Sequence, residues 1–138
     1  MRLVLDTNTV VSGLLWNKTP AQLIDAGLEG RIELFTSEAL VLELEDVLPR
    51  HKLARRVAAS GLSIAQLVAR YALLAQSVTP AIIGRVSKDP DDDHVLACAI
   101  AAQADLIVSG DPDLLNLKSH QDIPIVNAAE ALTRLPQR

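Results

Sequence analysis

Residues 88–115 read KDPDDDHVLACAIAAQADLIVSGDPDLL, an almost charge-free run with carboxylates crowded at both ends. Asp89 is a good N-cap and Pro90 suits the first helical position, so a helix is predicted from there to about Ala104. Leu106-Ile107-Val108 reads as a buried strand closed by Ser109-Gly110. In an open α/β sheet, ligands bind outside the carboxyl ends of the strands. Asp111 stands at such an end, and Asp93, in the first turn of the helix, could face it. The pair suggests a cation site.

Working outward, the same strand-then-helix pattern recurs. Arg2 to Leu5 is a continuous apolar strand ending at Asp6, and Val10 to Trp16 reads as helix. Pro20 opens a second helix stopped by Gly30, Ile32 to Phe35 is a second strand, and Thr36-Ser37 caps a third helix ended by Pro49. Lys52 to Ala59 reads as a short basic helix, and Ser63 caps a longer one with a wide apolar stripe from Ile64 to Ala75. A short strand within Val78–Ile83 is expected, with Pro80 placing it at an edge. A last strand at Ile125-Val126 and a helix from Ala128 to Leu135 close the chain. Strands alternating with helices predict a parallel sheet covered on both faces.

The 138 residues are enough to bury a core without staples. Only three aromatics are present, so that core is Leu, Val, Ile and Ala. Cys98 has no partner for a disulfide, which fits a reducing compartment. The opening run is too short for a signal peptide and no stretch approaches a membrane span, so a cytoplasmic protein is expected. The net charge of −4 conceals an asymmetry: Val47 to Lys88 holds seven of the 13 Lys and Arg residues and none of the 17 acids. The acidic part suits a metal and the basic part a phosphate backbone, although Arg55 and Arg56 read equally well as a solvated helix face.

Asp6, directly after an apolar strand, would by itself read more simply as a helix cap. The second strand-end acid, Asp111, shifts that reading toward a site. At about 100° per residue, Asp93 lies over Ala97, Ile100 and Ala104, Asp92 lies beside Leu96 and Ala99, and Asp91 points further out. Asp93 therefore ranks first for the site, Asp92 supports it, and Asp89 caps. Glu43 and Glu45 flank the apolar stripe of the third helix equally, and periodicity leaves the choice open. Carboxylates from separate elements, without a Cys/His cluster, describe a hard oxygen site for Mg²⁺ or Mn²⁺. His94 and Cys98, at i and i+4, do not make a zinc site. GxGxxG and GxxxxGK[ST] are both missing, which removes the nucleotide-cofactor and P-loop readings.

The opening LVLDTNTVVSGLLW, the helix ALVLELEDVLPRHKL, the block SKDPDDDHVLACAIAAQADLIVSGDPDLLNL and the closing PIVNAAEAL, in that order, resemble the PIN-domain nucleases. Within them they resemble the toxin components of toxin–antitoxin pairs, the VapC-like ribonucleases. The resemblance implies a three-layer α/β/α sandwich, with a central parallel sheet of four to five strands, over 1–138 as one PIN-like domain. It places the acidic quartet, catalytic and metal-binding, on Asp6, Glu43, Asp93 and Asp111, choosing Glu43 over Glu45. Asn8 and Ser109 would hydrogen-bond within the site, with Asp92 and Asp113 in support. The implied activity is Mg²⁺- or Mn²⁺-dependent hydrolysis of RNA by a metal-activated water. Arg50, Lys52, Arg55 and Arg56 would approach the RNA backbone. A cognate antitoxin and a second copy of the chain are the implied protein partners.

Two other readings compete. A catalytically silent PIN module would bind nucleic acid or protein without turnover, and the intact quartet argues against it. A receiver domain also gathers acids at a sheet's carboxyl edge, but the Val78–Ile83 run has no acid and Lys118 is poorly placed for its lysine. A DNA substrate remains open, because nothing in the sequence reads a 2′-hydroxyl.

Overall fold

Leu3, Val4 and Leu5 are all apolar because their strand is covered on both faces. In the computed structural model, which describes residues 1–136, this strand is central to the sheet. The elements follow in the order β1 (Arg2–Leu5), α1 (Thr7–Leu15), α2 (Thr19–Leu28), β2 (Glu33–Thr36), α3 (Glu38–Val47), a 3-10 turn (His51–Leu53), α4 (Ala54–Ala59), α5 (Ile64–Leu74), β3 (Gln76–Ser77), α6 (Pro90–Ala102), β4 (Leu106–Val108), α7 (Pro112–Leu115), β5 (Ser119–His120), β6 (Ile123–Val126) and α8 (Ala128–Arg134). The sheet order is β3-β2-β1-β4-β6-β5, parallel throughout except for the β5 edge.

Register turns the strand sequences into two core faces. Leu3 pairs with Leu34 on one side and Leu106 on the other, and this row packs under α1, α2, α3, α5 and α8 through Val10, Leu23, Leu44, Leu67 and Ala131. The alternate row, Val4 with Phe35 and Ile107, meets Val95, Leu96 and Ala99 of α6 and Leu114 of α7. The result is the expected α/β/α sandwich. Leu96 is wholly buried, and cutting it to alanine would cost roughly 2–5 kcal/mol.

The sheet has six strands rather than four to five, because β3 and β5 are two-residue edges. The strand expected within Val78–Ile83 is not there. Pairing with β2 covers Gln76 and Ser77, Val78 adds one bond to Thr36 O, and Pro80 lacks the N–H to go on. Helix α6 stops at Ala102, short of Ala104, because Gln103 turns left-handed at φ 51° and feeds the chain into β4. Among the described residues no single helix is long and apolar enough to cross a membrane.

Candidate active site

The neighbours of β1 run one way to β2 and the other way to β4, so a crevice opens at the carboxyl ends of β1 and β4. Leu5 pairs with Val108, which brings the next residues, Asp6 and Ser109, to the same rim. Asp6 is the N-cap of α1 and is only 6 % exposed. Its Oδ1 accepts the Thr9 N–H at 2.9 Å, and its Oδ2 accepts the Ser109 hydroxyl. Ser109 Oγ in turn accepts the Asp111 N–H at 2.9 Å, so one hydroxyl ties the aspartates of two strand ends together. Asp111 caps α7 by accepting the Asp113 N–H at 2.9 Å.

Helix α6 delivers the next carboxylate, and it is Asp92. Asp92 is 6 % exposed, and its Oδ2 accepts the Ser87 hydroxyl at 2.9 Å. Carboxylate oxygens of Asp92, Asp111 and Asp113 lie within 4.8 Å of one another. Burial, with further repulsion from Asp111 and Asp89, pushes the Asp92 carboxyl up to about 6, against the Ser87 hydrogen bond that lowers it. Asp93 bonds to the preceding loop. Its Oδ1 accepts the Ser87 N–H at 2.8 Å and the Val86 N–H at 3.2 Å, so it fastens the preceding loop to the helix. The helical wheel ranks Asp93 first, while Asp92 is the α6 carboxylate that lies with Asp111 and Asp113 in the structure. The face of α6 that packs on the sheet runs through Val95, Leu96, Ala99 and Ala102, and Asp92 continues it.

Glu43 sits half-buried on α3, next to Thr7. Burial raises its pKa, the neighbouring Thr7 hydroxyl opposes that, and Asp91, Asp89 and Asp6 add to it. Asp89 adds repulsion to both Glu43 and Asp92. Asn8, expected to bond within the site, is exposed and makes no side-chain hydrogen bond among the described residues. Arg50, Lys52, Arg55 and Arg56 are exposed on the 3-10 turn, its approach and α4. Arg56 lies 5.0 Å over the Trp16 ring, at the far end of α1, which by helix rise is roughly 15 Å from Asp6.

The donor set fits a divalent cation. It is all oxygen, one member is buried, and the Asp92 carboxyl, raised chiefly by burial, also carries repulsion from Asp111 and Asp89 that a cation would relieve. The family model for the PIN domain matches residues 2–113. The chain belongs to the PIN-domain family. No curated protein matches it. PIN domains are generally nucleases that use divalent metals, and the acidic group in this PIN domain is compatible with that chemistry. Cys98 contributes nothing to it: the thiol is buried and pushed up to about 12 by desolvation.

Two residues of the site escaped the reading of the sequence. Ser87 holds Asp92 through its hydroxyl and Asp93 through its amide. Its one sequence signal is its place two residues before the Asp89 cap, whose N–H its Oγ accepts at 3.4 Å. Thr7 lies against Glu43 and carried no signal, being hidden between Asp6 and Asn8 in an α1 first turn.

Proposed function

We propose that this PIN domain is a Mg²⁺- or Mn²⁺-dependent endoribonuclease and the toxin of a toxin–antitoxin pair. The observation that carries the reading is the convergence of Asp92, Asp111 and Asp113 within 4.8 Å at the sheet's carboxyl edge, beside the buried Asp6. Asp92, Asp111 and Asp113 would hold the cation. Asp6, through Ser109, would set the backbone that presents Asp111, and Glu43 would complete the negative rim. A cation held there supplies Lewis acidity toward a phosphodiester and a more acidic water. Arg50, Lys52, Arg55 and Arg56 would track the RNA backbone electrostatically. A cognate antitoxin and a second copy of the chain are the proposed protein partners, and the cytoplasm the proposed compartment.

The test is cleavage of single-stranded RNA, structured RNA and DNA with Mg²⁺ or Mn²⁺. Asp6→Asn and Asp92→Asn should each lower the RNA rate by roughly 100-fold or more. A wild-type protein that leaves every RNA intact with both ions overturns the proposal, as do variants that cut like wild type. Preferential cutting of DNA overturns the substrate assignment.

A further inference from the structure

On the sheet face opposite α6, a cleft of about 160 Å³ opens between α1 and the start of α8. Val108 pairs with Val126, so Ser109 and Asn127, which follow β4 and β6, border this cleft together. Ser109 also ties Asp6 to Asp111, so the cleft shares a wall with the acid rim. Asn8, Thr9 and Ser12 of α1 extend its polar lining, at spacings that place them on one side of the helix. Their side chains make no hydrogen bond among the described residues, although Thr9 is only 7 % exposed. Asn127 Oδ1 accepts the Glu130 N–H at 2.8 Å, which leaves its amide N–H groups to donate elsewhere. Pro20 and Ala128 supply apolar wall.

The chemistry of the lining selects its ligand. Among the described residues no charged side chain lines the cleft, and Asp6 and Asp111 beside it disfavour a second phosphate there. Amides and hydroxyls both donate and accept, so they match a neutral group with a polar edge. The volume is well below the roughly 300–1,000 Å³ of a drug-sized site, too small for a whole nucleotide chain segment. A single nucleobase has this chemistry, and single-stranded RNA is read through bases splayed out of the stack. We infer that the cleft holds one nucleobase of the RNA, with Asn8, Ser12 and Asn127 bonding its polar edge. Because Ser109 belongs to both cleft and rim, that base flanks the phosphate being cut. These three side chains then set base preference, and the assignment rests on the reading of the rim as a ribonuclease site.

The experiment pairs NMR of the full chain in chelator with cleavage of a randomised single-stranded RNA in Mn²⁺. Short homopolymeric RNAs of each base are titrated in without metal, and the side-chain amide signals of the asparagines are followed. Asn8 and Asn127 should shift with at least one base, and by more than Asn17 and Asn116, which do not line the cleft. Wild-type cleavage should favour one base beside the cut by about 3–10-fold over the others. Ser12→Leu, which fills the cleft, and Asn8→Ala should each bring that preference below about twofold, while Ser12→Thr keeps it. Mn²⁺ affinity should hold in all three. Where Ser12→Leu fails to fold, Ser12→Ala removes the hydroxyl without adding bulk and should weaken the preference in the same direction. RNA cut without base preference, variants that keep the wild-type preference, or unmoved Asn8 and Asn127 signals overturn the base site and leave the ribonuclease reading standing. A wild type that neither binds nor cuts any RNA overturns both.

Discussion

Asp92 and Asp93, adjacent in the chain, send their carboxylates to different jobs at the first turn of α6. Asp92, itself buried, joins Asp111 at the rim, and Asp93 accepts the Val86 and Ser87 amides and fastens the loop. Their conservative variants should therefore part. Asp92→Asn should weaken Mn²⁺ binding by about 10–100-fold with little loss of fold. Asp93→Asn should leave Mn²⁺ affinity within about threefold, yet cost about 1–2 kcal/mol and speed hydrogen exchange at Val86 and Ser87. Calorimetry with hydrogen-exchange mass spectrometry reads both, and the opposite pattern would return the site to Asp93.

The raised Asp92 carboxyl makes the metal-free protein lose stability as pH rises out of mild acid. Its pKa goes from 3.8 to about 6 on folding, so between those values the folded state keeps a proton that the unfolded chain releases. Stability contributed by this group therefore falls as pH rises from about 4 to about 6, by on the order of 2 kcal/mol. Glu43, raised mainly by burial, acts in the same direction. Urea melts in chelator across this window should show Asp92→Asn gaining on wild type as pH rises. A difference that stays flat, or runs the other way, rejects the assignment.

Ser109 joins two strand ends through one hydroxyl, donating to Asp6 and accepting from Asp111. Ser109→Ala leaves the buried Asp6 oxygen short of a donor and should cost about 1–3 kcal/mol. The loss should show as a lower urea midpoint with an unchanged m-value. A midpoint equal to wild type would mean that solvent replaces the hydroxyl at the rim.

The basic segment should act on RNA without acting on metal. Arg55→Glu with Arg56→Glu should weaken RNA binding by about tenfold or more at low salt and flatten its salt dependence. Mn²⁺ affinity should hold, since α4 carries neither the three clustered acids nor Ser109. Binding measured by anisotropy on a labelled RNA of defined length, unchanged at low salt, would leave these arginines as a solvated face. Because Trp16 is the one tryptophan and lies under Arg56, its fluorescence reports on the same encounter.

The α/β class, the elements flanking β1 and β4, and the two strand-end aspartates were legible in the residues. Strands covered on both faces must be apolar throughout, and a helix that opens with Asp-Pro announces its cap. The partition of the acids was not legible. Helix α6 is apolar nearly all round from Val95 to Ala102, so no stripe singled out the face that meets the sheet, and the wheel favoured Asp93. Packing against Val4, Phe35 and Ile107 decided the rotation of that helix, and with it which carboxylate was buried. The same holds for Ser87 and Thr7, whose places depend on loops and helices far apart in sequence meeting over one sheet edge. Local chemistry determined where carboxylates could stand; only the docking of helix on sheet decided which of them share a site.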